Sequence, residues 1–244
     1  MCKIWAHRGY SALYPENTLL AFKKAEELFV DGIETDLQLT RDGKIVLIHD
    51  EKIDRTSEGK GFVKDYTYQE LQKYSFCNHM DFMIEEGSRL LCLEDFFSWF
   101  KETDLVVNLE LKTSLLPYPG LVEKTILAIH QADLNDRVIL SSFNHHSLME
   151  ARSLDPEIPC GALTGCSLLS PGTYCRENGL KAYHPLFTTL TEEDWVNLKE
   201  NGVEINPWTV NRPSEMKMLF SQGISHLITN EPALAIEALK EIVQ

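Results

Sequence analysis

The chain has 244 residues, 43% of them hydrophobic and 25% charged, an ordinary balance for a globular protein with a substantial core. Its net charge of −14 argues against a surface built for nucleic-acid backbones or anionic lipid, since both need clustered Lys and Arg. No apolar run is long enough to span a bilayer, the N-terminus MCKIWAHRGY lacks the apolar stretch of a signal peptide, and cysteines at 2, 77, 92, 160, 166 and 175 show no zinc spacing, so a cytoplasmic protein with reduced thiols is expected.

In chain order, KIWAH reads as a short apolar strand and ENTLLAFKKAEELFV as a helix with Leu19, Phe22, Ala25, Leu28 and Phe29 on one stripe. IETDLQLTRDGKIVLIHD follows as a β-hairpin. Its Asp42-Gly43 pair suits a two-residue turn, where positive φ is required. Counting outward sets Arg41 against Lys44 and Asp36 against His49, with Cβ atoms roughly 5 Å apart on one face. Glu34, two residues before Asp36, shares that face. Clustered carboxylates need a cation to offset their repulsion, and a divalent metal is the usual one. The plain alternative is a solvated hairpin with His49 paired to Asp36.

LEDFFSWFKE then reads as a helix, and DLVVNLELK as a strand with Asn108, Glu110 and Lys112 on one face. GLVEKTILAIHQADL is a helix, RVILSSF a strand, HHSLMEARSL a helix, PCGALTG and GLKAYHP strands. TEEDWVNLKENG is a helix capped by its Thr and ended at Gly202. EINPWTV is a strand, RPSEMKMLFSQG a helix with Pro213 in its first turn, HLITN the last strand and EPALAIEALKEIV the last helix. Setting aside the return arm of the hairpin leaves eight of nine strand candidates, the number in a closed (β/α)8 TIM barrel. No Gly-rich phosphate loop follows the first strand, as an open nucleotide-binding sheet would require. Residues 1–244 thus read as one barrel domain. Residues 51–90 break the alternation and read as a small subdomain inserted over the barrel mouth. Its Thr67 and Glu70 form a capping box, Gly59 and Gly61 are expected to leave its near end mobile, and Tyr66, Phe76 and Phe82 to pack it.

Barrels carry chemistry at the C-terminal ends of their strands. At those ends stand His7-Arg8-Gly9, Glu34 and Asp36, His49, Glu110 and Lys112, and Asn206, Trp208 and Asn211. Each is costly in an apolar strand unless it has a partner. Trp208 is expected on the substrate side, against the plain reading of a core aromatic. His145 and His146 read as a solvated helix start, His79, His130 and His226 as structural, and His184 as undecided.

With HRGYSALYPENTLLAF, GIETDLQLTRDG, VLIHD, DRTSEGKG, NLELK and NPWTVN in this order, nearly the whole chain resembles the glycerophosphodiester phosphodiesterases, a family within the phospholipase C-like phosphodiesterase superfamily. The resemblance implies a TIM barrel with a small subdomain after the His-Asp motif. It also implies metal-dependent hydrolysis of glycerophosphodiesters to sn-glycerol 3-phosphate and an alcohol. Glu34, Asp36 and Glu110 then become the metal ligands, His7 and His49 the acid-base pair, and Arg8 and Lys112 the phosphate contacts. Three carboxylates favour Mg²⁺, Ca²⁺ or Mn²⁺ over zinc. The partner is a small-molecule glycerophosphodiester, with neither nucleic acid nor stable membrane insertion. A lysophospholipase D-type enzyme and a catalytically retired phosphoester-binding barrel are the alternatives, and the presence of all seven polar positions argues against the second. Two places depart from the family pattern. Leu91-Cys92 stand where Pro-Thr is usual, and GISHLITN places Ser225 and Asn230 at positions usually acidic.

Overall fold

The computed structural model describes residues 2–77 and 88–243. Its strands are β1 (Lys3–His7), β2 (Gly32–Leu39), β3 (Ile45–Leu47), β4 (Val106–Leu111), β5 (Val138–Ser142), β6 (Cys160–Thr164), β7 (Ala182–Pro185), β8 (Glu204–Ile205) and β9 (His226–Thr229). The helices are α1 (Leu19–Glu26), α2 (Tyr68–Leu71), α3 (Leu93–Phe100), α4 (Leu121–Ala132), α5 (His145–Leu154), α6 (Pro171–Glu177), α7 (Glu192–Glu200), α8 (Pro213–Gln222) and α9 (Pro232–Val243).

Parallel strands need a crossover, and here helices supply it. The sheet runs β8-β7-β6-β5-β4-β2-β1-β9, with β3 paired to β2 off this path. Between β8 and β9 the circle is drawn together by Ser225 N donating to Ile205 O (2.9 Å) and Ile228 N donating to Pro207 O (3.1 Å). The result is a nearly closed TIM barrel of eight parallel strands. Its main core lies between the strands and the helical ring, where Phe22, Phe96 and Phe100 are fully buried. Inside the barrel Trp5, Ile139 and Ile228 pack together. Below the site, Asn206 bridges two histidines: its Nδ2 donates to His184 Nε2 (3.0 Å) and its Oδ1 accepts from His226 Nδ1 (2.8 Å).

The hairpin departs from its expected register. Gly43 N donates to Thr40 O (2.9 Å) and Thr40 N to Lys44 O (3.0 Å), with Gly43 at φ +73°, so the loop has three residues and not two. Thr40 Oγ1 steadies it by donating to Asp42 Oδ1 (2.6 Å). Pairing becomes Leu37 with Leu47 and Leu39 with Ile45, one step away from the predicted count. Asp36 therefore faces Ile48, whose N donates to Asp36 O (3.0 Å), and His49 lies past the end of β3. One further expectation fails locally, and one helix went unread. Helix α1 stops at Glu26, and Phe29, at φ +59°, is 92% exposed outside the stripe. Helix α6 was not foreseen, because it is short, holds Gly172 and starts at Ser170 without a side-chain cap.

After the His49-Asp50 pair the chain builds a second small core of Ile53, Val63, Leu71, Phe76 and Leu90 against Val46 and Ile48 of the hairpin. The Thr67–Glu70 capping box is formed. The glycine loop is tied down: Gly61 N donates to Asp54 Oδ1 (2.8 Å) and Gly59 N to Ser57 Oγ (3.1 Å). Phe76 packs inside this core, whereas Phe82 and His79 lie outside the described residues.

Candidate active site

The register of the barrel brings acids from neighbouring strands together. Asp36 of β2 stands beside Glu110 of β4, and Glu34 beside Asn108. Glu34, Asp36 and Glu110 are buried, with carboxylate oxygens that all lie within 4.8 Å of one another. Two cations flank them. Lys112 Nζ lies 2.9 Å from Glu110 Oε1 and 3.7 Å from Asp36 Oδ1. Arg8 Nε lies 3.3 Å from Asp36 Oδ2, and Arg8 Nη1 3.0 Å from Glu16 Oε1. Arg8 holds φ +57°, a conformation a non-glycine residue adopts only under constraint. The constraint is visible: its N donates to Glu34 O (2.8 Å) and its O accepts from Asn17 N (3.0 Å).

The electrostatics divide the triad. Burial and the charges of Asp36 and Glu110 push Glu34 well above the usual carboxylate range. Burial and Asp36 likewise push Glu110 up, against the pull of Lys112. Burial works the same way on Asp36, but Arg8 and Lys112 outweigh it and hold that carboxyl below the usual range. Asn17 helps, donating from Nδ2 to Asp36 Oδ2 (2.9 Å) while accepting from Thr35 Oγ1 (2.7 Å). Asp36 Oδ1 is buried without a hydrogen-bond partner among the described residues. Two carboxyls pushed above the usual range by burial and by Asp36, beside a carboxylate oxygen with no hydrogen-bond partner among the described residues, make a donor set that fits a divalent cation.

Both histidines reach the same cleft, which is also lined by Arg8, Glu34, Asn108, Glu110, Phe143, Trp208 and others. His7 Nδ1 donates to Asn230 Oδ1 (2.6 Å), leaving Nε2 bare and 3.6 Å from Glu34 Oε2. Burial, then Arg8, lower His7 to about 3. His49 Nδ1 lies 2.6 Å from Asp50 Oδ1. Burial would raise Asp50, but Arg55 and His49 bring it down to about 2, so it accepts from the imidazole. Arg55 in turn grips Asp50 (2.7 Å) and Glu16 (2.7 Å), joining the segment after β3 to the loop before α1. Trp208 packs edge-on against Phe143 at 5.4 Å between centroids and donates from Nε1 to His184 O (2.8 Å).

This constellation has relatives. Residues 7–234 match the glycerophosphoryl diester phosphodiesterase family. A glycerophosphodiester phosphodiesterase of Caldanaerobacter subterraneus subsp. tengcongensis is 39% identical over 97% of each chain. The chain belongs to this family. Another member, from Bacillus altitudinis, is 38% identical over 99% of this chain and 100% of its own. Among solved structures, an Oleispira antarctica phosphodiesterase in complex with the product sn-glycerol-3-phosphate is 25% identical, with a TM-score of 0.87 over 98% of this chain and 96% of that one. A Silicibacter pomeroyi protein reaches a TM-score of 0.91 at 19% identity, covering 100% and 94% of the two chains, and shows the shared fold.

Of the eight residues given metal, acid-base or substrate roles in the sequence, His7, Arg8, Glu34, His49, Glu110 and Trp208 line this cleft, and Asp36 and Lys112 adjoin Arg8 and Glu110. Arg8 and Lys112 are engaged with carboxylates. The partners that orient the site went unassigned in the sequence: Glu16 and Asn17 within PENT, Asp50 beside His49, Arg55, and Asn230. Asn230 is one of the departures from the family pattern, and it meets His7 directly. His145, at the start of α5, is half-buried, and its ring bonds to Tyr174 Oη (2.7 Å) and Leu163 O (2.9 Å).

Proposed function

We propose that this chain is a metal-dependent glycerophosphodiester phosphodiesterase that releases sn-glycerol 3-phosphate and an alcohol. The observation that carries the reading is the buried Glu34, Asp36 and Glu110 triad, flanked by Arg8 and Lys112 and facing two histidines, in a member of this family. The triad would hold a divalent cation, Mg²⁺, Ca²⁺ or Mn²⁺, which supplies positive charge to offset the phosphate and to favour a developing oxyanion.

The remaining roles follow from the side chains. An arriving phosphodiester competes with the carboxylates for Arg8, whose fork suits two phosphate oxygens, and for the compact charge of Lys112. His7, neutral at physiological pH and fixed with its proton on Nδ1 by Asn230, takes the proton of the attacking hydroxyl on Nε2. His49, its Nδ1 held by Asp50, turns Nε2 to the cleft and delivers a proton to the leaving oxygen. Trp208 and Phe143 form the apolar wall for the carbon skeleton. The small core after β3, joined to the mouth by Arg55, meets the alcohol side of the substrate. Six free cysteines, three of them buried, accord with a cytoplasmic setting, and no helix among the described residues is long and apolar enough to cross a membrane.

The deciding experiment presents glycerophosphocholine, glycerophosphoethanolamine and a lysophospholipid, each with and without divalent cation, and identifies the products. Metal-dependent release of glycerol 3-phosphate from the water-soluble diesters is expected. Turnover confined to the lysophospholipid, or none on any diester, would overturn the reading.

A further inference from the structure

Asn108 has no task in the chemistry described so far. It sits on β4 two residues before Glu110, on the same inward face, and opposite Glu34 in the register. It is only 1% exposed and lines the same cleft as His7 and His49. Neither its Oδ1 nor its Nδ2 finds a hydrogen-bond partner among the described residues. A buried amide with both ends unsatisfied weakens the fold, and an apolar residue of similar size would avoid that penalty. Such a group in a ligand cleft is accounted for by what enters the cleft.

The chemistry of the amide selects the entrant. An amide offers donors on nitrogen and an acceptor on oxygen, so one group that both accepts and donates satisfies it best. A hydroxyl is such a group. Phosphate oxygens of a diester only accept and would leave Oδ1 facing an anion. A trimethylammonium head group has no N–H to give. The part of the substrate that carries free hydroxyls in every glycerophosphodiester is the glycerol.

We propose that Asn108 binds a glycerol hydroxyl, placing the glycerol in the cleft against Trp208 and Phe143 and turning the variable alcohol out toward the mouth. This rests on the function proposed above. Asn108 is then the residue that separates glycerophosphodiesters from other phosphodiesters.

The test is calorimetric binding of glycerol 3-phosphate and of inorganic phosphate, in the presence of the divalent cation that supports turnover. Wild type is compared with Asn108→Leu and Asn108→Ala, alongside thermal unfolding and metal titration. Affinity of both variants for glycerol 3-phosphate is expected to fall about 10- to 100-fold, since a site built around a hydroxyl is left without its contacts. Affinity for phosphate and for metal should stay within about 2-fold of wild type, and Asn108→Leu should melt no lower than wild type. Unchanged glycerol 3-phosphate affinity would overturn the proposal. So would equal losses for both anions, or a loss of metal affinity, which would assign Oδ1 to the cation. If wild type itself neither binds glycerol 3-phosphate nor hydrolyses glycerophosphodiesters, the proposed function fails and this inference with it. If wild type does both and the Leu variant binds as well, only the role of Asn108 fails.

Discussion

At the scale of single residues, the proposed mechanism rests on two imidazoles whose Nδ1 atoms meet different partners, the Asn230 amide behind His7 and the Asp50 carboxylate behind His49. General acid-base catalysis contributes typically 10²- to 10⁴-fold. His7→Ala and His49→Ala should therefore each lower kcat at least about 100-fold while the melting transition stays cooperative. Steady-state kinetics on glycerophosphocholine check this, and a variant of either residue with near wild-type kcat would contradict it. His7, Glu34, Asp36, Glu110 and Lys112 were legible in the sequence because each interrupts or ends an apolar strand, where a polar side chain needs a reason. Asn17, Asp50 and Asn230 carried no such signal. They come from loops, and their aim depends on backbone turns such as the positive φ of Arg8 and Asn17, which no periodicity encodes.

Among the elements, the alternation of strand and helix gave the barrel, because parallel strands cannot be joined in any shorter way. The hairpin shows where pattern reasoning stops. Asp42-Gly43 marked the turn but not its length, and the third loop residue shifted the register by one. His49 still arrives at the cleft because it lies beyond the ladder and is placed by Asp50, Arg55 and the small core that follows. That core shares Val46 and Ile48 with the hairpin, so deleting residues 51–90 would strip β3 as well. A gentler probe is Arg55→Ala, which cuts the link from this segment to Glu16 and Asp50. It should raise KM for glycerophosphodiesters several-fold or flatten the preference among alcohols, since the linkage spans the mouth and touches no carboxylate of the triad. Metal affinity should be unchanged. Identical kcat/KM for every alcohol tested would count against a substrate-reading role for the segment.

For the whole molecule, two buried histidines contribute to the response to acid. Burial first, then the neighbouring His226, lowers His184 to about 3; burial, then Lys3, lowers His226 to about 4. In the unfolded chain both titrate near about 6.5. As pH falls below about 6.5 the unfolded state takes up protons that the folded state refuses, so this contribution to stability is present above that value and drains away toward about pH 3–4. Melting temperature against pH should fall over this window, and the double variant His184→Gln with His226→Gln should fall less steeply, whatever its absolute stability. An equal slope would refute the linkage. The central claim, however, concerns the acidic triad. It is tested most directly by titrating Mg²⁺, Ca²⁺ and Mn²⁺ into EDTA-treated wild type, Glu34→Gln and Glu110→Gln, following binding by calorimetry and glycerol 3-phosphate release in the same samples. Binding and turnover should appear together in wild type and be lost together in both folded variants. Full turnover in excess EDTA, or unaltered metal affinity in either variant, would contradict the account.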